Sequence, residues 1–229
     1  MGKRDPLRGI LLRYLKTNGI FIVDHMFLTH PHPDHTHGLL TVLRSWPTGC
    51  LWLADGYDGD PEQLAILAAA KHSRVPLNLF PQPDQEKLSF DANARSLVFR
   101  ICYGEIAILL TGDITSVTED FLIRSGQECR AQVLKVPHHG SRTSCDPVWL
   151  DHVRPDLAVI SCGLRNPFGH PHPESMESLA NSRHHPLILT TAEHGAVRVK
   201  SDGRHLWTET WSGVTLCWRE GEGDRSGQD

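Results

Sequence analysis

The clearest chemical feature of the sequence is the segment HPHPDH at residues 30–35. His30, His32, Asp34 and His35 place four side chains that commonly bind metals within six residues. Burying such groups without partners is unfavourable, and one or two divalent cations offset that penalty. The alternative is a solvated loop with accidental histidines. Because prolines stiffen this loop between a predicted strand and a predicted helix, we interpret it as part of a metal site.

Three further clusters of such residues each follow a predicted apolar strand. They contain Asp113 in the sequence TGD, the pair His138-His139, and His170 with His172. Ligand sites in α/β proteins gather at the carboxyl ends of strands. We therefore predict a metal-bridging role for Asp113 rather than a helix cap, and a metal or phosphate role for His138 and His170. The sequence leaves the roles of His139 and His172 open.

The composition is that of a soluble globular protein, with 39% hydrophobic and 22% charged residues. The net charge of -4 argues against a chain-wide basic surface for nucleic acid, although a local cleft can still be basic. The six cysteines include no CxxC pair, which argues against a cysteine-ligated zinc module. No membrane-length apolar run or signal peptide is visible, so we expect a cytoplasmic protein.

Hydrophobic periodicity predicts alternating helices and strands, and hence mixed sheets covered by helices in layers. Residues 77–91 are predicted to be mostly loop. The sequence SVTE at 116–119 predicts a capping box, and Asp146-Pro147 predicts another helix start. Helices are predicted over 7–15, 36–46, 61–72 and 174–183, and strands over 23–29, 50–54, 96–103, 106–111, 131–137, 157–162 and 187–190.

Taken in order, these motifs resemble a known family. THPHPDH (29–35) is similar to the HxHxDH signature of the metallo-β-lactamase fold. Further segments resemble the C-terminal domain of ComEC, the competence DNA-uptake channel family, over about residues 8–200. They are Asn93, SLVF (96–99), LLTGDI (109–114), VLKVPHHGS (133–141), AVIS (158–161), Asn166 and GHPHPE (169–174).

The resemblance implies an α/β (α+β) fold, the four-layer αββα metallo-β-lactamase sandwich, with a two-metal site at one edge. It implies a single domain over 1–220 that lacks the first N-terminal strands, followed by a disordered tail at 221–229. The metals would be Zn²⁺ or Mn²⁺, which histidine and aspartate ligands both suit. The implied ligands are His30, His32, Asp34, His35, Asp113, His138 and His170. Relatives also carry a histidine before the TGD motif, which this chain lacks.

The activity implied is that of a binuclear phosphodiesterase or nuclease acting on DNA, possible partners being DNA and a membrane channel component. We predict catalytic roles for Asp34, His138 and His139, and substrate contacts for Asn93, Ser141 and His172. Two alternatives remain open. One is a lactam, lactone or thioester hydrolase of the same fold, and the other is a truncated fragment without catalytic activity.

Overall fold

A computed structural model describes residues 6–80 and 91–219, which fall into two compact units divided between Leu97 and Val98. The predicted tail at 221–229 lies outside the described residues, as does most of the predicted loop after residue 80. The single domain over 1–220 stays a prediction. Within the described ranges, no helix combines the length and the apolar character needed to cross a membrane.

Unit 1, which ends at Leu97, is a parallel sheet with helices between its strands. The strands pair in the order β1-β2-β3, and α2 and α3 provide the crossover connections that parallel strands require. Alternate residues of β1 and β2, such as Leu28 and Leu53, are buried in one apolar cluster with residues of all three helices. The elements are α1 (Pro6–Thr17), β1 (Val23–Leu28), α2 (Pro33–Ser45), β2 (Thr48–Ala54), α3 (Pro61–Ser73) and β3 (Leu77–Phe80).

Unit 2 begins at Val98 and contains a five-stranded sheet in the order β4-β5-β6-β7-β8 and an antiparallel sheet of three strands, β9 to β11. In the larger sheet, β4 and β5 form the predicted hairpin and the remaining neighbours are parallel. The elements are β4 (Phe99–Tyr103), β5 (Ile106–Leu110), α4 (Ser116–Arg124), β6 (Val133–Lys135), α5 (Pro147–Val153), β7 (Leu157–Ile160), α6 (Pro173–Ala180), β8 (Leu187–Thr190), α7 (Thr191–His194), β9 (Val197–Ser201), β10 (His205–Thr210) and β11 (Thr215–Arg219).

The larger sheet of unit 2 is covered on both faces. On one face, the fully buried Trp149 and Leu150 of α5 share a cluster with Leu134 of β6. On the other face, Leu157 of β7 packs in a cluster with Leu206 of β10. Unit 2 therefore has three layers: helices, the five-stranded sheet and the three-stranded sheet. This confirms the predicted mixed α/β class, while the four-layer sandwich stays a prediction.

Two details of the predicted elements are wrong. Residues 77–80 are strand β3 rather than loop, because they pair in parallel with Leu51 to Ala54. The segment 116–119 forms no capping box, since Thr115 is the N-cap and makes no side-chain cap hydrogen bond. Both errors have one cause: partners distant in the sequence override the local pattern.

Glu119 instead joins α4 to the start of α5. Its buried carboxylate accepts hydrogen bonds from the backbone N–H groups of Cys145 at 2.7 Å and Asp146 at 3.1 Å. These bonds hold a strained position, because Cys145 has a left-handed backbone with φ 66°. Burial raises the pKa of Glu119 to about 7, and the two backbone hydrogen bonds only partly oppose that effect.

This raised pKa predicts a stability that falls as the pH rises. Below the ordinary pKa of a glutamate, the side chain of Glu119 is protonated in both the folded and the unfolded chain. Between that value and about 7 the unfolded chain ionises first, so the folded state loses stability until the pH passes about 7. We expect the unfolding free energy of the wild type, relative to Glu119→Gln, to fall by on the order of 2 kcal/mol between roughly pH 5 and pH 8.

Urea unfolding at several pH values measures this difference. The matched control is Glu177→Gln, which changes an exposed glutamate of the same unit. A wild-type minus Glu119→Gln difference that does not vary with pH contradicts the prediction.

Candidate functional site

The first candidate group lies in unit 1 at the point where β1 ends and α2 begins. We call His30, His32, Asp34 and His35 the unit 1 group. His30 is fully buried just after the strand, and His32 is the N-cap residue of α2. Helix α2 starts at Pro33, three residues earlier than predicted, so Asp34 and His35 belong to its first turn. The strand end and the helix start therefore fix the positions of all four side chains.

The imidazole rings of this group lie close together. The ring centre of His30 is 4.6 Å from that of His32 and 4.1 Å from that of His35. Nε2 of His30 lies 3.1 Å from Nδ1 of His32, and Nε2 of His35 lies 3.7 Å from Oδ2 of Asp34. Two ligands of one tetrahedral zinc ion at normal bond lengths are about 3.3 Å apart. The spacing within each of these two pairs is therefore close to that of two ligands of one cation.

Hydroxyl groups hold the other side of the His30 ring. Oγ of the buried Ser96 lies 3.0 Å from Nδ1 of His30, and Oγ1 of Thr29 lies 3.1 Å from the same atom. The backbone N–H of Leu97 donates to the carbonyl of Thr29 at 3.1 Å, which keeps the segment around Ser96 beside the end of β1. Such contacts orient a metal-binding histidine. Sequence reasoning missed this role of Ser96.

The second candidate group lies in unit 2, where β5, β6 and β7 end. We call Asp113, His138, His139, His170 and His172 the unit 2 group. Asp113 follows β5 and is only 3% exposed, whereas His138 and His139 lie in a tight turn after β6.

Within this turn, His138 and His139 both have left-handed backbones, with φ of 48° and 55°. Non-glycine residues adopt this conformation at a cost of about 1–3 kcal/mol each, and they cluster at functional sites. Gly140 permits close approach of the next segment, because a Cβ there would lie 2.7 Å from Cβ of Pro171.

His139 contacts Asp113 from this turn. Its Nε2 lies 3.3 Å from Oδ2 of Asp113, and its Nδ1 lies 2.7 Å from the carbonyl oxygen of Ser161. A carbonyl only accepts hydrogen bonds, so Nδ1 carries the proton and the neutral ring presents the lone pair of Nε2. This supports His139 as a metal ligand, whereas the resemblance implied His138 as the ligand, and that assignment stays a prediction.

Lys135 is a further residue that sequence reasoning missed. Its Nζ donates to the carbonyl of Gly112 at 2.7 Å and lies 3.4 Å from Oδ1 of Asp113. The ammonium group partly offsets the charge of this buried carboxylate. The only sequence signal was its place two residues before the Pro-His-His motif.

His170 provides an independent test of whether the unit 2 group suits a metal. Its Nδ1 is buried and has no hydrogen-bond partner among the residues that the structure describes. The pKa of His170 is lowered, mainly by burial and then by the neighbouring His172, His138 and His139, which favours a neutral ring with an available lone pair. A buried nitrogen of this kind suits a cation.

The three residues predicted to contact substrate, His172, Ser141 and Asn93, differ from one another in their hydrogen bonds. Nδ1 of His172 accepts a hydrogen bond from the backbone N–H of Arg142 at 3.1 Å, so the neutral ring carries its proton on Nε2 and can donate there. The hydroxyl of Ser141 lies 3.1 Å from that of Thr143, within its own turn. Asn93 lies in unit 1, and its Oδ1 is buried without a hydrogen-bond partner in the described part of the chain.

Comparison with known proteins finds competence proteins among the relatives. No family model matches the chain. It is 31% identical to "Recombination protein 2" of Haemophilus influenzae over 198 residues, which is 82% of this chain and 24% of that protein. It is 31% identical to "Competence protein ComA" of Neisseria gonorrhoeae over 191 residues, which is 80% of this chain and 26% of that protein.

A third relative is "ComE operon protein 3" of Bacillus subtilis, with 27% identity over 209 residues, 85% of this chain and 27% of that protein. The chain thus spans about a quarter of the length of these curated relatives. The matches confirm the resemblance to competence proteins, whereas the metallo-β-lactamase fold stays a prediction.

The contact between Ser96 and His30 yields a prediction about metal affinity. Ser96→Ala removes a hydroxyl that orients His30, so we expect the affinity of the purified protein for Zn²⁺ or Mn²⁺ to fall by about tenfold. Competition with a chromophoric chelator measures this affinity. The control is Ser73→Ala, which removes a hydroxyl bonded to the carbonyl of Leu43 in the same unit. Equal affinities in the two variants contradict an orienting role.

The adjacent histidines of unit 2 provide a matched pair of variants. His139→Ala removes the ring that faces Asp113, so we expect a larger loss of metal affinity than the about 10- to 100-fold typical of an outer contact. His138→Ala changes a neighbour with the same left-handed backbone and should lose less. The same chelator assay compares the two, and the reverse order would assign the ligand to His138.

Proposed function

We propose that this chain is a metal-dependent hydrolase, a binuclear phosphodiesterase or nuclease that cleaves DNA. The observation that carries the proposal is the pair of histidine and aspartate groups that stand at strand ends. Each contains polar atoms at ligand-like spacing, and each has a histidine oriented by a contact on its other nitrogen. The motifs of the metallo-β-lactamase fold support the assignment, and we propose that fold for the chain.

The donor set fits divalent zinc or manganese, because it combines imidazole nitrogens with carboxylate oxygens. We assign His30, His32, Asp34 and His35 as ligands from unit 1, and Asp113, His139 and His170 as ligands from unit 2. That both groups serve one reaction rests on the resemblance of the sequence. The chemistry supplied by two bound divalent cations would be activation of water for attack on phosphorus and neutralisation of phosphoryl charge.

The remaining side chains of unit 2 have roles that follow from their protonation and contacts. His172, which carries its proton on Nε2, would donate a hydrogen bond to a phosphoryl oxygen. Lys135 would keep Asp113 in place through its contacts with that carboxylate and with Gly112. With His139 acting as a ligand, His138 would contact the phosphate or protonate the leaving oxygen.

The similarity to competence proteins supports a biological role in DNA uptake. The chain corresponds to about a quarter of each of those proteins, so the role proposed for it is hydrolysis of DNA in association with a membrane channel component. DNA is the proposed substrate because the names of two of these relatives refer to recombination and to competence, and the similarity covers at least 80% of this chain.

The proposal predicts that activity depends on both groups. His35→Ala and Asp113→Asn should each lower the rate of metal-dependent cleavage of single-stranded DNA by at least about 100-fold, the scale on which loss of one charge-stabilising group acts. The matched control is His72→Ala, which removes an exposed histidine in the last turn of α3. Cleavage of a labelled oligonucleotide by the metal-loaded proteins, with their metal content measured, tests this. Unchanged rates in the first two variants would refute the nuclease assignment.

A further inference from the structure

The loop between β7 and α6 leaves large apolar side chains in water. Phe168 is 72% exposed and Leu164 is 74% exposed, although burying one such side chain contributes about 1.5–3 kcal/mol. Scattered exposed apolar residues are normal on protein surfaces. Both lie on the loop that leads into His170, and Phe168 contacts that histidine of the unit 2 group.

The shape of this loop is fixed by Asn166. Its side-chain N–H groups donate to the carbonyl of Gly163 at 2.8 Å and to that of His170 at 2.7 Å. Its carbonyl oxygen accepts from the backbone N–H of His170 at 2.9 Å. One amide thus joins the beginning of the loop to its end. Phe168 lies between these anchored points, so its exposed ring is presented by an ordered loop.

The ring of Phe168 contacts the unit 2 group through His170. It stacks on His170 with a centroid distance of 5.9 Å and an interplanar angle of 29°. The ring of His170 in turn lies 4.8 Å from that of His172, the proposed donor to a phosphoryl oxygen. One face of an aromatic ring is therefore available to a ligand directly beside the proposed phosphate-binding residues.

We propose that Phe168 is a stacking platform for an unpaired nucleobase of single-stranded DNA, next to the proposed hydrolytic residues. This inference rests on the proposed function and specifies its substrate. Base–aromatic stacking tolerates any sequence, because every base has a π-face. Bases within a duplex are already stacked on their neighbours, so the platform selects single strands and unpaired ends. The exposed Arg165 of the same loop adds positive charge for the phosphate backbone.

The test measures how strongly the binding of an oligonucleotide depends on its bases, and whether that dependence requires the ring of Phe168. The metal-loaded chain is titrated against two short phosphorothioate oligonucleotides, one of thymidines and one of abasic residues with the same backbone charge. Fluorescence anisotropy gives both affinities, and phosphorothioate linkages keep the substrates intact. The quantity compared among variants is the preference for the thymidine chain over the abasic chain.

We expect the wild type to prefer the thymidine chain by about tenfold or more, as loss of one or two stacked bases implies. Phe168→Ala and Phe168→Leu should reduce this preference to near one, whereas Phe168→Tyr should keep it. Phe21→Ala is the matched control, since Phe21 is 82% exposed elsewhere in the chain. It should keep the wild-type preference. Because Phe168 is exposed, its variants should unfold at wild-type temperatures, which thermal unfolding checks.

A wild type without base preference would overturn the inference, as would a Phe168→Ala variant that keeps it. Equal weakening of both oligonucleotides by Phe168→Ala and Phe168→Leu would also overturn it, because that result indicates a disturbed loop. Binding is measured without turnover, so the stacking result stands apart from the nuclease assignment. If the chain cleaves DNA but shows no preference for the thymidine oligonucleotide, only the stacking role of Phe168 is refuted. If it shows that preference but does not cleave DNA, only the hydrolase assignment is refuted.

Discussion

An imidazole presents a lone pair in one direction only when its other nitrogen is held, and the candidate site depends on this constraint. In unit 2, the carbonyl of Ser161 fixes the proton of His139 on Nδ1 and leaves Nε2 toward Asp113. In unit 1, the hydroxyls of Ser96 and Thr29 occupy Nδ1 of His30. A histidine-rich surface segment without such contacts would populate several rotamers and tautomers. The orienting bonds distinguish a built site from an accidental cluster.

The folded chain stabilises conformations around these residues that are unfavourable by themselves. His138 and His139 keep left-handed backbones, and the N–H of Ser141 donates to the carbonyl of His138 at 2.8 Å to close the turn. Further along the same connection, Cys145 is held by the buried carboxylate of Glu119. The free energy gained from packing the three layers of unit 2 offsets the cost of these strained backbone conformations. Strain of this kind places side chains where an unstrained loop would not.

A net charge of -4 is not what a tight, non-specific DNA-binding protein would carry. The arrangement in unit 2 suggests another source of substrate contact, local rather than chain-wide. The Nε2 N–H of His172 and the ring of Phe168, the proposed contacts to phosphate and base, both lie on the connection that follows β7. Lys135, the last residue of β6, instead contacts Asp113. The proposed recognition of DNA at this edge therefore depends on a few oriented groups rather than on overall charge.

The sequence by itself determined the residues at the strand ends, because residue types within a short segment and the apolar runs before them are local properties. HPHPDH, Asp113, the His-His pair and His170 were all found this way, as was the N-cap Asp146, which accepts from the N–H of Val148 at 2.8 Å.

Tertiary structure alone decided what depends on contacts between distant segments. Residues 77–80 form a strand because they pair with β2. The side chain of Glu119 accepts a hydrogen bond from the backbone at the start of α5 rather than capping its own helix. Tertiary structure also brought Ser96 to His30 across 66 residues and placed Nε2 of His139 beside Asp113. No local pattern encodes such choices, because each depends on which atoms the packed core places opposite a given side chain.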